Sequence, residues 1–391
     1  MHGSASPEPR ERLLALDVFR GLTVASMLLV NNPGSWGAIY APLEHAEWHG
    51  WTPTDLIFPF FLFIVGITTH LSKKEPKRIV RRGLTIVLLG LLLNAFPFYW
   101  WGKMAGVANP TLLDRVVWRF EHLRFAGVLQ RIGVCYIAAA LIALYATRRQ
   151  ILITIGALLI GYWILMTCVP VPGSGVLGAF VLDQPDKTLS AWFDRAILGT
   201  NHIWVSTKTW DPEGPLSTLP AIATALVGVL AGEWLTRRDK PLPQRVLVLY
   251  GVGSLGVIVG KFWDWVFPIN KNLWTSSYVV FAAGFACIAL ATCLWLIDVE
   301  NVRGWTKPFV IYGVNPMAAF VGSGLMARLI DSLIKLPTDD GMKSLHAITF
   351  SWINLALFSP KFASLLWGLG FVAFWLAILG LMHRRGLILK V

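Results

Sequence analysis

The residues best suited to chemistry are His45, Asp55 and Asn31. Imidazole exchanges protons near neutral pH more readily than any other unperturbed side chain. A carboxylate that orients the ring and supports its cation makes it an effective base, the logic of a His–Asp pair. His45 stands in the run LEHAEWHGWTPTDLIFPFFLF. Within it, Thr52-Pro53-Thr54-Asp55 reads as a helix start, with Thr52 as cap and Pro53 and an acid in the first turn. Asn31 closes the apolar run that precedes this loop. Short segments join the three residues, so they can converge. His49 competes with His45 by position, and Trp36, Trp48 and Trp51 flank both. The alternative reading of a loop histidine is simple solvation.

The composition says which elements must position these groups. Of 391 residues, 55% are hydrophobic and only 14% charged, with mean hydropathy +0.60. A soluble chain carries about 25% charged residues. Trp is over-used, at 19 residues, and amphipathic rings suit membrane–water interfaces. The chain therefore reads as an all-α polytopic membrane protein. A helix needs about 20 apolar residues to cross the hydrocarbon core. Ten spans are expected, over 13–31, 53–71, 83–101, 124–146, 151–169, 215–236, 246–266, 276–297, 309–331 and 361–382. The stretch 345–358 is apolar but short, and reads as interfacial or re-entrant. The membrane domain is expected over 13–382, between polar tails 1–12 and 383–391, with no cleavable signal peptide.

Lys and Arg set the orientation. With both termini inside, the cytoplasmic segments hold 19 of them and the much longer outer loops about 10. Residues 32–52, 102–123, 170–214, 267–275 and 332–360 then face out, His45 among them. The net charge of +12 is accounted for by this bias, so no nucleic-acid partner is expected. The four cysteines (Cys135, Cys168, Cys287 and Cys293) lie in apolar segments without CxxC spacing, and neither a metal site nor a disulfide is expected.

Ionisable side chains inside spans are costly, and are functional candidates for that reason. They include Arg20, Arg131, Lys261 and Arg328. Asp17–Arg20, Lys261–Asp264 and Arg328–Asp331 share i,i+3 spacing, so each pair has the alternative of neutralising itself on one helix face. The GxGxxG match GVGSLG at 251–256 falls inside an apolar span, with no strand–turn–helix unit around it. It reads as small residues that let helices approach closely.

Six ordered blocks carry a resemblance: LLALDVFRGLTVASMLLVN with the His45 run, RFAGVLQRIGVCY, DPEGPLSTLPAIATALVGVLAG, INKNLWTSSYV and KPFVIYGVNPMAAFVG. The chain resembles the heparan-alpha-glucosaminide N-acetyltransferase family over nearly its whole length, and is similar to the shorter bacterial NagX-type branch. The resemblance implies acetyl transfer across a membrane, from cytoplasmic acetyl-CoA to an amino sugar on the far side. It implies a multi-pass protein of a bacterial inner membrane, and a homodimer as a family-level expectation. The family's catalytic histidine matches His45, and its Asn and Asp match Asn31 and Asp55. Where the animal enzyme reads Asn-Gly, this chain has His49-Gly50, a change at the expected acceptor pocket.

Under that resemblance, CoA phosphates need cations. Arg20 is the expected ligand, with Arg131 and Lys261 deeper in the passage and Asn315 lining the cavity. Glu213, Lys271, Asn272, Trp48 and His49 are expected around the acceptor. Direct transfer and an acetyl-His45 intermediate both remain open. Two rivals also stand: O-acetylation of a periplasmic glycan, and a secondary transporter for a sugar or peptidoglycan fragment.

Overall fold

The computed structural model describes residues 13–72, 75–100, 102, 104, 107, 109–339, 341–354 and 359–389. The expected tail 1–12 lies outside the described residues, as do 390–391 and 355–358. The chain forms α1 (Leu14–Asn31), a short 3₁₀ turn (Pro53–Leu56) running into α2 (Ile57–Leu71), α3 (Pro76–Ala95), α4 (Leu112–Glu121), α5 (Val128–Tyr145) and α6 (Arg148–Cys168). Then follow α7 (Leu189–Leu198), α8 (Pro215–Leu235), α9 (Leu242–Trp263), α10 (Ser276–Leu294), α11 (Lys307–Val314) and α12 (Pro316–Arg328). The helices α13 (Leu345–Ile353) and α14 (Pro360–Arg384) close the chain. The only sheet among the described residues is a small hairpin, β1 (Lys335–Thr338) against β2 (Gly341–Ser344), paired antiparallel with Lys335 opposite Ser344.

Among the described residues, eight helices are long and apolar enough to cross a membrane, and the α11–α12 pair, bent by 82°, makes a ninth when counted as one broken span. The remaining expected span is α3. It is a full helix of 20 residues, but Arg78, Arg81 and Arg82 occupy its first two turns. The bend follows from Asn315-Pro316: the residue before a proline is driven from helical geometry, and Asn315 has φ −122° and ψ 52°. The 345–358 stretch contributes the nine-residue α13, too short to span.

Small residues set the helix spacing, as apolar side chains gain little by leaving lipid. A Cβ on Gly66 would sit 1.9 Å from the Ala225 carbonyl oxygen, where α2 crosses α8. Gly253, inside GVGSLG, meets Gly284 of α10 in the same way, at 2.8 Å from its carbonyl oxygen. A Cβ on Gly21 would overlap the Phe309 carbonyl at the α1–α11 crossing. These contacts lock a bundle in which the connecting segments collect at two ends. At one end, Gly50 N–H donates to Ile269 O at 2.8 Å, Phe125 N–H to His202 O at 3.2 Å, and Gly34 N–H to Ser364 O at 3.3 Å. That end carries His45 and is called outer here, after the orientation that the Lys and Arg distribution favours.

Candidate active site

Asp55 is placed by its own helix start. Its Oδ2 accepts from the N–H groups of Ala46 and Thr52, each at 3.0 Å. Thr52 forms a capping box with it, satisfying donors that a helix start leaves free. The Thr52 hydroxyl also donates to Glu44 O at 2.6 Å, and Tyr278 OH donates to the Asp55 carbonyl at 2.5 Å. Oδ1 remains for His45, whose Nδ1 lies 2.7 Å away. The carboxylate is 1% exposed and the imidazole 46%. A hydrogen on Nδ1 donated to Asp55 leaves Nε2 with a lone pair at an open surface.

Lys271, from the loop before α10, completes this group. Its Nζ is 3.0 Å from Nδ1 and 3.3 Å from Nε2 of His45, and 3.6 Å from Asp55 Oδ1. Burial pushes the Lys271 amine below its usual range, while the Asp55 and Glu213 carboxylates oppose that shift. Asn272 is half-buried beside it and makes no hydrogen bond among the described residues.

The other expected residues divide. His49 Nε2 meets Asp183 at 2.8 Å, and its Nδ1 faces the Asn270 amide at 3.3 Å. Trp48 donates to Leu182 O at 2.7 Å and packs edge-on against Trp210. Both tie the 170–214 segment over the site. Glu213 was expected to meet sugar hydroxyls. Instead it pairs at 2.5 Å with Arg124, which also binds Asp211 at 2.6 and 2.8 Å. Burial works against the Arg124 cation, but the two carboxylates outweigh it and raise its pKa. Asp211 N–H in turn donates to Asp194 at 2.9 Å. Burial pushes the Asp194 carboxyl up to about 7.

Asn31 does not converge on His45 or Asp55 by hydrogen bonding. It lines a separate cavity of about 440 Å³ at the outer end, with Arg124, Gln130, Arg328 and His346. A second cavity, of about 450 Å³, opens toward the other end and is lined by Arg20 and Arg82. The two cavities run along the same helices. Ile86, Ile132 and Met317 line the inner one, and Gly90, Leu129 and Phe320 the outer one, three or four residues apart, about one helical turn. Arg20 bonds Asp17 at 3.3 Å, the pairing its spacing predicts, and also Gly313 O at 3.1 Å.

Three expected cavity residues lie elsewhere. Lys261 is 60% exposed and pairs with Asp264 at 2.6 Å on the outside of the bundle; its i,i+3 partner satisfies it locally. Arg131 lies in the core, donating to Gly214 O at 3.2 Å and Ser217 Oγ at 2.5 Å, with its guanidinium over Trp274. Asn315 is fully buried, and both ends of its amide are taken: Nδ2 donates to Leu387 O and Oδ1 accepts from Leu389 N–H, each at 3.0 Å. It clamps the C-terminal segment across the α11–α12 bend.

Sequence reading missed the Arg124–Asp211 clamp and His346. Arg82, with Arg78 and Arg81, reads in the sequence either as attracting the nucleotide or as set by topology alone; its Nε is buried without a hydrogen-bond partner, and its guanidinium lies over Tyr136. Arg124 and Asp211 are 87 residues apart, a separation that no spacing pattern spans. Among the described residues, no group of three or more His, Cys, Asp or Glu could hold a metal ion.

Comparison with known proteins places these residues in a family. Residues 12–257 match the model described as heparan-alpha-glucosaminide N-acetyltransferase, catalytic. The chain is 29% identical to the heparan-alpha-glucosaminide N-acetyltransferase of Mus musculus, over 90% of this chain and 60% of that protein. It is 32% identical to the protein of that name from Homo sapiens, over 80% of this chain and 52% of the relative. It thus spans between about half and three-fifths of the length of these relatives. The matched region contains His45, Asp55, Asn31 and the Arg124–Asp211–Glu213 clamp, and the chain belongs to the heparan-alpha-glucosaminide N-acetyltransferase family.

Proposed function

We propose that the chain is a transmembrane acetyltransferase that moves the acetyl group of acetyl-CoA to the amine of an amino sugar at the outer end of the bundle. The observation that carries this reading is the 2.7 Å contact between His45 and an Asp55 held by two backbone N–H groups. An amine is protonated in water and cannot attack a thioester until it loses that proton. His45 Nε2 accepts it. Asp55 holds the ring in the tautomer that leaves Nε2 free and supports the imidazolium that forms.

The amine then adds to the thioester carbonyl. Positive charge from Lys271, beside the ring, favours the developing oxyanion. Collapse of the tetrahedral adduct breaks the C–S bond. The imidazolium gives its proton to the leaving sulfur, and the freed Nε2 takes the second proton from the nitrogen, which leaves a neutral amide and the CoA thiol. The inner cavity along α3, α5 and α12 offers Arg20 and Arg82 to the donor's phosphates.

The test is acetyl-CoA-dependent acetylation of glucosamine by purified protein in detergent, with His45→Ala alongside. Turnover that is lost in the variant while acetyl-CoA binding persists is the expected result. Sugar uptake into vesicles without CoA release would replace this reading with transport. Acetylation of N-acetylglucosamine at a hydroxyl, and not of glucosamine at nitrogen, would replace it with O-acetylation. A burst of CoA release without acceptor would route the transfer through acetyl-His45.

A further inference from the structure

His49 is held between two loops by atoms whose roles are fixed. Its Nδ1 lies 3.3 Å from Nδ2 of Asn270, and its Nε2 lies 2.8 Å from Oδ1 of Asp183. Asn270 belongs to the loop before α10 and is fully buried. Its Oδ1 accepts from Leu273 N–H at 2.9 Å, so the NH₂ group is the end that faces His49. An amide NH₂ only donates. Nδ1 of His49 must therefore present a lone pair, and the ring hydrogen of the neutral form sits on Nε2, toward Asp183.

Protonation breaks this match. An imidazolium carries hydrogen on both nitrogens, and the one on Nδ1 would point at the Asn270 NH₂. Turning the amide over gives no relief, because it would set the NH₂ group against Leu273 N–H in a buried place. The ring is the part that can give way: its side chain is 26% exposed, and the Asp183 carboxylate it faces is 87% exposed. Asp183 keeps its attraction for the cation, whereas the bond to Asn270 is lost. Of the other charged groups, Lys271 follows Asn270 on the opposite loop, and Glu47 is exposed on the loop of His49 itself. Trp48 donates separately to Leu182 O, so the 170–214 segment is still tied when the ring turns.

The lost bond lies next to the chemistry. Asn270 precedes Lys271, whose Nζ is 3.0 and 3.3 Å from the two His45 ring nitrogens. Gly50 N–H donates to Ile269 O at 2.8 Å, so the neighbours His49 and Gly50 join the His45 loop to the Lys271 loop by two successive bonds. We propose that His49 is a positioning residue for acetyl transfer: its neutral form latches the Lys271 loop to the His45 loop, and protonation opens the latch. The effect on turnover rests on the acetyltransferase reading; the latch itself does not.

The experiment compares wild type, His49→Asn and His49→Gln, each as the whole protein in detergent. Asparagine places an oxygen near the Nδ1 position and does not titrate. Glutamine reaches toward Asp183 and leaves no acceptor at the Nδ1 position. kcat/KM for glucosamine acetylation is measured from about pH 7.5 to about pH 5.5, across the range in which imidazole takes up its proton. Protonation of His45 is common to all three proteins and cancels in their ratios. Over that range the wild type falls about fivefold to tenfold relative to His49→Asn, the scale of one hydrogen bond. His49→Gln stays below His49→Asn at both ends. Hydrogen exchange of the 267–275 backbone, divided by the intrinsic rate at each pH, is read alongside. It quickens in the wild type as pH falls, and does not in His49→Asn. A ratio of wild type to His49→Asn that stays constant with pH removes the positioning role. Wild-type exchange that is no faster at the lower pH overturns the latch, and this reading decides even if a variant does not fold. Exchange that quickens at low pH, with no acetylation of any amino sugar, leaves the latch standing and removes the acetyltransferase reading instead.

Discussion

His45 and Asp55 are joined at 2.7 Å although one lies in an exposed loop and the other is buried at the start of a membrane helix. The carboxylate is fixed by Ala46, Thr52 and the capping box, so the ring is held from a rigid base. Asp55→Asn therefore lowers kcat by roughly 10² to 10⁴, the range of a positioned acid–base group. KM for acetyl-CoA changes little, because neither residue lines the inner cavity. Steady-state kinetics with glucosamine decide this. Equal turnover in variant and wild type would remove the pair from the chemistry.

The Arg124–Asp211 clamp predicts a stability effect. Asp211 is fully buried and Arg124 bonds it twice. Removing one partner of a buried pair costs about 3–5 kcal/mol. Arg124→Leu and Asp211→Ala should each lower Tm well beyond Glu213→Gln, which keeps the side chain's shape and leaves Arg124 bonded to Asp211. Thermal unfolding in detergent checks the order. A Glu213→Gln loss equal to the other two would contradict it.

Asp194 predicts a pH dependence. Burial raises its carboxyl from the ordinary 3.8 to about 7. Between these values the folded protein keeps a proton that the unfolded chain has lost. Stability from this group therefore falls as pH rises from about 4 to 7 and levels off above, by up to about 1.4 kcal/mol per pH unit. Asp194→Asn, which mimics the protonated form, should flatten the profile of Tm against pH over that window. An unchanged slope in the variant would assign the dependence to other groups.

The inner cavity predicts a donor effect. Arg82 is buried at Nε without a partner and lines the cavity beside Arg20. Arg82→Leu should raise KM for acetyl-CoA about tenfold, the scale of one charge-assisted bond, with a smaller change in kcat. The loss should shrink for a truncated donor that lacks the nucleotide phosphates. Equal losses for both donors would place Arg82 outside phosphate recognition.

Asn315 predicts a change at the C-terminus. Asn315→Ala leaves Leu387 O and Leu389 N–H, in an exposed segment, without their side-chain partners, at a cost of about 1 kcal/mol. The relieved segment should be cut faster by carboxypeptidase than in the wild type. An unchanged rate would show that the Asn315 amide does not hold the segment.

Much of this molecule was legible in the chain because it is decided locally. Apolar runs of sufficient length become membrane helices whatever surrounds them, since lipid leaves the backbone no other way to satisfy its hydrogen bonds. The start at Thr52-Pro53-Thr54-Asp55 and the close approach within GVGSLG follow from side chains a few residues apart. The i,i+3 pairs Asp17–Arg20 and Lys261–Asp264 form for the same reason. What the tertiary structure alone decided are contacts between distant segments. Lys271 reaches His45 across 226 residues, and Arg124 reaches Asp211 across 87. Their partners are chosen by which loops the packed helices bring to one end. Asn315 is taken by the C-terminal segment, and a π-turn over Leu329–Leu333 parts Arg328 from Asp331, which turns to His346 instead. Each is a case in which packing and backbone geometry overrode local spacing, because a buried polar group bonds whatever the fold places within reach.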